Sequence, residues 1–282
     1  MKIRRIKGVK KPLDKKRKKK KLRRVLRLVK CLLTLGILVA TAVYASRAPF
    51  FNIDAFRVKG SSHYSDESLA SASGIVRGAN GFRLLFDKPV GRFFFLRVGS
   101  AERAILGSRP YVKNVKVRYL IPSTISIEVK EKEAAALLSL EGTSLLIDRE
   151  GYLLEINPEN VKDGIPVIKG IKPGAYKPGK KMDIPEDAFS TAFEIYETIR
   201  EMDSDSEKKL LPDVDFIDVG DLSKTGFSLQ SRVLVNLGKP EDLNYKISAV
   251  KTIFGNNIKK NERGKLDFYS DGNPVFTPEN GG

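Results

Sequence analysis

The sequence predicts an α+β protein made of one membrane helix near the N-terminus, a small domain of strand-helix-helix-strand-strand order, and a mostly β domain carrying two helices. Three observations predict it. Residues 1–30 hold 17 Lys or Arg against a single acid, Asp14. Directly after them, Cys31 to Ser46 (CLLTLGILVATAVYAS) contains no charge. The rest of the chain consists largely of short runs with apolar residues at every second position, punctuated by Gly and Pro, with a few stripes at helical spacing.

The formal charge of +17 invites a nucleic-acid reading, which its placement excludes. With 17 of the 51 basic residues in the first 30 positions, the remainder balances 34 basic against 33 acidic groups. A nucleic-acid-binding domain needs basic side chains spread over a folded face so that several reach phosphates together. Residues 1–24 instead read as a disordered basic tail, because the run from Lys10 to Arg24 has little apolar surface and repels itself. Its lysines and arginines suit anionic lipid headgroups of the bilayer.

Sixteen uncharged residues at 1.5 Å each span about 24 Å, short of a hydrocarbon core of roughly 30 Å. Val25, Leu26, Leu28 and Val29 extend the segment, since Arg27 and Lys30 near its end can snorkel to the interface. The predicted membrane helix is therefore 25–47. The excess of Lys and Arg on its N-terminal flank places that flank in the cytoplasm and the C-terminal bulk outside. A cleaved signal peptide, with Val43-Tyr44-Ala45 near the cleavage site, is the other reading, and a leader of some 30 charged-rich residues is too long for it. Cys31, the sole cysteine, falls inside the membrane segment, so no disulfide framework is expected.

Pro49 ends the helix. Ile53 to Lys59 alternates and closes at Gly60; Ser65 caps a short helix with Asp66 and Glu67 in its first turn, and Gly74 stops it. Phe93 to Leu106 is the candidate second helix. Val112 to Tyr119 and Thr124 to Lys130 are two strands joined through Pro122. Further on, Ala134 to Leu140, Thr143 to Ile147 and Tyr152 to Ile156 read as a β meander. Pro185 opens a helix striped with Phe189, Phe193, Tyr196 and Ile199. Strands follow at Val214 to Val219, Phe227 to Leu229 and Val233 to Leu237. A helix covers Leu243 to Phe254, and Lys265 to Tyr269 is the last strand before a polar end, 278–282.

These landmarks, in series, resemble the FtsQ/DivIB family of bacterial cell-division proteins. Val58-Lys59-Gly60, Ser65, Gly78-Ala79-Asn80, Pro110-Tyr111-Val112, Pro122-Ser123-Thr124 and Ile127-Glu128-Val129-Lys130-Glu131 look like that family's POTRA domain, here 48–132. Asp148-Arg149-Glu150-Gly151, Ile165 to Gly170, Val235-Asn236-Leu237-Gly238 with Lys246, and Leu266-Asp267-Phe268-Tyr269 match its second, mostly β domain, here 133–277. The resemblance implies a single-pass, non-enzymatic scaffold of the divisome whose extracytoplasmic domains recruit partners of the FtsB/DivIC and FtsL type during septum assembly. It also implies that the contact lies at the end of the β domain, around Leu266, Phe268, Tyr269, Val275 and Phe276. Read from the residues alone, aromatics flank the turn Asp271-Gly272-Asn273-Pro274, and either they stand exposed for a partner or they finish the core. A POTRA-bearing transport or secretion factor handling β-strand substrates is the alternative, and no internal repeat or series of amphipathic barrel strands supports it.

An enzyme reading fails on the inventory of side chains. His63 is the only histidine, no cysteine lies outside the membrane segment, and no Gly-x-Ser-x-Gly turn presents a nucleophile. Ser206 with Lys209 and Lys224-Thr225-Gly226 mimic elements of wall-synthesis enzymes, yet only 14 residues separate the two lysines. Asp213, Asp215 and Asp218 mimic a calcium loop, but Ile217 occupies a ligand position and no closing Glu follows. No glycine motif cradles a phosphate, so neither a cofactor nor a small-molecule substrate is expected.

Overall fold

The computed structural model describes residues 13–86, 96–269 and 272–279. Helix α1 runs from Leu13 to Ala45 and is followed by a single 3-10 turn at Pro49–Phe51. Then come β1 (Ala55–Lys59), α2 (Asp66–Ala72), α3 (Arg83–Phe86), α4 (Gly99–Ser108), β2 (Val112–Leu120) and β3 (Thr124–Glu131). Within α1 the stretch Lys19–Ala45 is long and apolar enough to cross a membrane, and none of it is buried against protein. The helix starts twelve residues before the expected position, so 13–24 is helical rather than disordered. Lys, Arg and Leu are strong helix formers, and no Gly or Pro interrupts them once the apolar segment has nucleated the helix. Residues 1–12 of the expected tail lie outside the described residues.

The first sheet has three strands in the order β1-β3-β2. Ala55 N–H donates to Ser123 and a side chain on Gly60 would meet Val129, so β1 and β3 run in the same direction. The β2–β3 hairpin turns through a cis Ile121–Pro122 bond. Two compact units divide the trace: one formed by α1 to Phe56 with 75–98 and 118–126, the other by 57–74, 99–117 and everything from Ile127 onward.

In the first unit, the exit from α1 is fastened to the loop before α3. Asn80 donates its Nδ2 to Ser46 O at 2.9 Å, while its Oδ1 accepts the N–H groups of Phe82 and Arg83 at 3.1 and 3.3 Å. Gly81 N–H donates to Phe51 O at 2.9 Å, and Tyr119 donates its hydroxyl to Phe51 O at 3.1 Å. Phe50, Phe51, Phe82 and Tyr119 make consecutive edge-to-face contacts at centroid distances of 5.2, 5.0 and 5.5 Å.

In the second unit, Ser65 caps α2, its side chain accepting from Ser68 N–H, as its sequence position predicts. The second long helix of this region, α4, begins at Gly99 rather than at Phe93. In the first unit, Leu96 adopts a left-handed backbone, its carbonyl accepts Tyr119 N–H at 2.8 Å, and Arg97 forms an isolated antiparallel β-bridge with Arg118, so 96–98 is not a helical turn. The expected helical residues 93–95 lie outside the described residues.

The second sheet has nine strands: β4 (Ala134–Leu140), β5 (Thr143–Asp148), β6 (Leu153–Ile156), β7 (Val167–Lys169), β8 (Val214–Asp218), β9 (Thr225–Leu229), β10 (Val233–Gly238), β11 (Gly264–Phe268) and β12 (Pro274–Pro278). Their order is β12-β11-β10-β9-β8-β7-β4-β5-β6. The β10/β11, β7/β8 and β4/β7 pairs are parallel and the rest antiparallel. Parallel neighbours require crossovers, and two of them are helices: α5 (Glu186–Ser204) between β7 and β8, and α6 (Leu243–Asn256) between β10 and β11. Ala192, Ile195 and Ile199 of α5 and Ile247 and Val250 of α6 are fully enclosed in one core with Leu138, Ile217, Phe227 and Leu266.

A nearly enclosed ion pair links the two helices. Asp203, with a side chain 7% exposed, accepts Lys251 Nζ at 2.6 Å and the N–H groups of Leu210 and Leu211 at 2.8 and 2.7 Å. Burial alone would raise this carboxyl, but the Lys251 ammonium and the two N–H groups outweigh it and hold Asp203 below the usual carboxylate range. Because the folded value is depressed, the pair contributes stability above about pH 4 and loses it as pH falls further through the folded value. Asp203→Ala should cost about 3 kcal/mol at pH 7. Urea titrations at pH 7 and pH 3 check this, since the deficit of the variant should shrink at the lower pH.

Candidate partner-binding edge

Strand β12 closes one side of the nine-stranded sheet, and its hydrogen-bond phase follows from two bonds. Glu279 N–H donates to Arg263 O at 2.8 Å, and Tyr269 N–H points to Asn273 O at 3.5 Å. The antiparallel register pairs Lys265 with Thr277, Leu266 with Phe276 and Asp267 with Val275. Hydrogen-bonded and non-hydrogen-bonded pairs alternate, so Val275 and Thr277 turn their backbone groups toward β11. Pro274, Phe276 and Pro278 turn theirs outward. Proline has no N–H, which leaves Phe276 as the one outward donor on β12, framed by the outward carbonyls of positions 274, 276 and 278.

The side chains divide by pleat. Leu266 is fully buried and Phe268 is 8% exposed, both in the core, and Phe276 packs partly buried against the same core opposite Leu266. Tyr269 and Val275 are 58% and 45% exposed. Of the five residues expected to meet a partner, Leu266 and Phe268 thus finish the interior, Tyr269 and Val275 are available, and Phe276 is available mainly through its backbone. Sequence reasoning missed Leu234, which is 43% exposed and sits one strand away, paired with Lys265 on the face that also carries Val275. Its signal was present: with Val233, Val235 and Leu237 facing in, Leu234 must face out. The prolines at 274 and 278 also marked an edge strand. Pro278, expected in the polar end, belongs to β12. Asp271 of the expected turn lies outside the described residues.

The apparent catalytic and metal motifs have structural partners. Ser206 donates its hydroxyl to Lys208 O, and Thr225 is buried in β9, donating to Gly238 O. Asp215 accepts from Ser228 and Ser231, Asp213 from Gln230, and Asp218 from Gly220 N–H, so each carboxylate braces its own loop. His63 lies stacked on Tyr111 at 3.7 Å. Among the described residues no group of three His, Cys, Asp or Glu side chains gathers as metal ligands.

An unburied apolar helix, followed by a three-stranded sheet with two main helices and a larger sheet ending in an open edge, fits the class of single-span membrane proteins. Residues 51–132 match the family described as the POTRA domain, FtsQ-type. The chain is 27% identical to the cell division protein DivIB of Clostridium acetobutylicum over 82% of its length and 84% of that protein. It is 21% identical to DivIB of Clostridium botulinum, over 93% of each chain. With the cell division protein FtsQ of Koribacter versatilis it shares 25% identity over 72% of this chain and 54% of that one. Residues 51–132 thus carry a POTRA domain of the FtsQ type, and most of the chain is similar to FtsQ and DivIB cell division proteins.

Proposed function

We propose that this protein is a bitopic scaffold of the bacterial divisome, with its N-terminal tail in the cytoplasm and its POTRA region (48–132) and β domain (133–277) outside. It recruits partners of the FtsB/DivIC and FtsL type during septum assembly. The observation that carries this reading is the open edge of β12 beside the exposed Tyr269 and Val275. An extended partner segment adds as a further strand, its N–H groups donating to the outward carbonyls and one of its carbonyls accepting from Phe276. The apolar side chains of Tyr269, Val275 and Leu234 then supply anchors around that backbone contact. No catalytic step is needed for this role.

Two variants at one position separate backbone pairing from side-chain contact. Phe276→Ala and Phe276→Pro lose the same ring, but only the proline also removes the outward N–H, and prolines already occupy the equivalent outward positions 274 and 278. Capture of purified full-length partner by the full chain in detergent should fall about tenfold further for Phe276→Pro than for Phe276→Ala, the loss of one well-made hydrogen bond in a strand ladder. Equal capture by the two variants would sink strand addition.

A further inference from the structure

We infer that the exit of α1 carries a seat for the phosphate of a membrane phospholipid, formed by Arg47 and Arg83 over an apolar floor. A cleft of about 630 Å3 opens there, lined by Val43, Ser46, Arg47, Asn80, Phe82 and Arg83. All six residues belong to the unit built around α1. Among the described residues the lining contains two guanidinium groups and no carboxylate. Among the described residues neither Arg47 nor Arg83 has an ion-pair or hydrogen-bonding partner for its side chain, whereas Arg77 of the same unit lies over the Phe56 ring.

Depth selects the occupant. A hydrocarbon layer of roughly 30 Å takes up about 20 helical residues, and the apolar stretch of α1 ends at Ala45. Arg47 therefore stands just beyond the acyl chains, at the level of the lipid phosphates. Val43, 43% exposed on the helix, continues the cleft into the acyl region, and Tyr44 and Phe50, 83% and 68% exposed, present rings at the same interface. The seat is also fixed in shape. Asn80 ties Ser46 to the N–H groups of Phe82 and Arg83, so the two arginines are held on one frame and not on independent loops. A planar guanidinium pairs with two phosphate oxygens at once, and two such groups suit a phosphodiester better than lysines would. An anionic lipid is favoured over a zwitterionic one, whose own cation would compete with the arginines for the phosphate.

The inference rests on α1 spanning the bilayer and holds for either orientation. Its test is lipid retention by the full chain in detergent, read by native mass spectrometry after incubation with phosphatidylglycerol or phosphatidylcholine. The basic run before the helix binds phosphatidylglycerol too, but it is identical in every variant. Arg47→Gln with Arg83→Gln should remove one bound phosphatidylglycerol per chain and lower retention several-fold, while Arg77→Gln leaves it unchanged. Thermal unfolding matching that of the parent chain confirms that the double variant is folded. Unchanged retention in the double variant, an equal loss with Arg77→Gln, or no preference for phosphatidylglycerol over phosphatidylcholine would overturn the seat. Fractionation of cells expressing the double variant distinguishes this from failure of the membrane-spanning reading, because only the latter releases the protein into the soluble fraction.

Discussion

Phe268→Ala is expected to destabilise the second sheet by about 3–5 kcal/mol, while Tyr269→Ala, one residue on, leaves stability within about 0.5 kcal/mol and weakens partner capture instead. The contrast follows from the pleat. Phe268 is 8% exposed in the core that holds Leu266, Ile247 and Val250, so truncation leaves a cavity beneath the edge that the neighbours cannot fill. Tyr269 follows the last residue of β11 and is 58% exposed, so its removal changes the surface alone. At roughly 2–4 °C per kcal/mol for a unit of this size, the Phe268 variant should melt at least about 6 °C lower by circular dichroism. Both variants lose partner in a pull-down, for different reasons, and only the melting curve tells them apart. Equal melting temperatures would mean that Phe268 does not close the core.

Gly226→Ala should be the more damaging substitution, costing about 4 kcal/mol or more and abolishing a single cooperative transition of the second sheet. Gly226 lies in β9, buried, opposite Asn236, and a methyl group built on it falls onto the carbonyl oxygen of Val235 in β10. No rotamer relieves a clash with backbone. Either β9 and β10 separate or the ladder shifts register, and a shift by one residue turns Phe227 and Leu229 out of the core. Gly142→Ala provides the comparison. That glycine sits in the β4–β5 turn at φ +75° with open space around it, so the same added methyl meets only the cost of a left-handed backbone, about 1 kcal/mol. Limited proteolysis of the full chain in detergent checks both, with rapid cleavage across 214–238 expected for Gly226→Ala alone.

Much of the architecture was legible because alternation reports one buried face. Val115 and Val117, Ile125, Ile127 and Val129, and Val233, Val235 and Leu237 each stand in phase, and each is found buried in the strand predicted for it. Three of the misses in the folded regions have separate physical causes. β7 is only three residues long and has parallel neighbours on both sides, so it shows no in-out period to read. β12 begins and ends in proline, which argues against a strand unless the strand is an edge with those prolines facing outward. The helix expected from Phe93 followed an apolar stripe that ran through Leu96, where the backbone turns left-handed. At the candidate edge, the sequence named a segment but could not assign sides. Leu266 and Phe268 carry the same composition signal as Tyr269 and Val275, and only the register with β10 and β12 separates core from surface.

The connection from β10 to β11 passes through α6, and β12 can form only against β11. During synthesis the greasy helix leaves the ribosome before either sheet, and the β12 edge is assembled after the strands it closes. On the proposed scaffold reading, anchoring in the bilayer therefore precedes any capacity to capture a neighbour, and a nascent chain stalled anywhere before Pro274 is tethered without its docking edge.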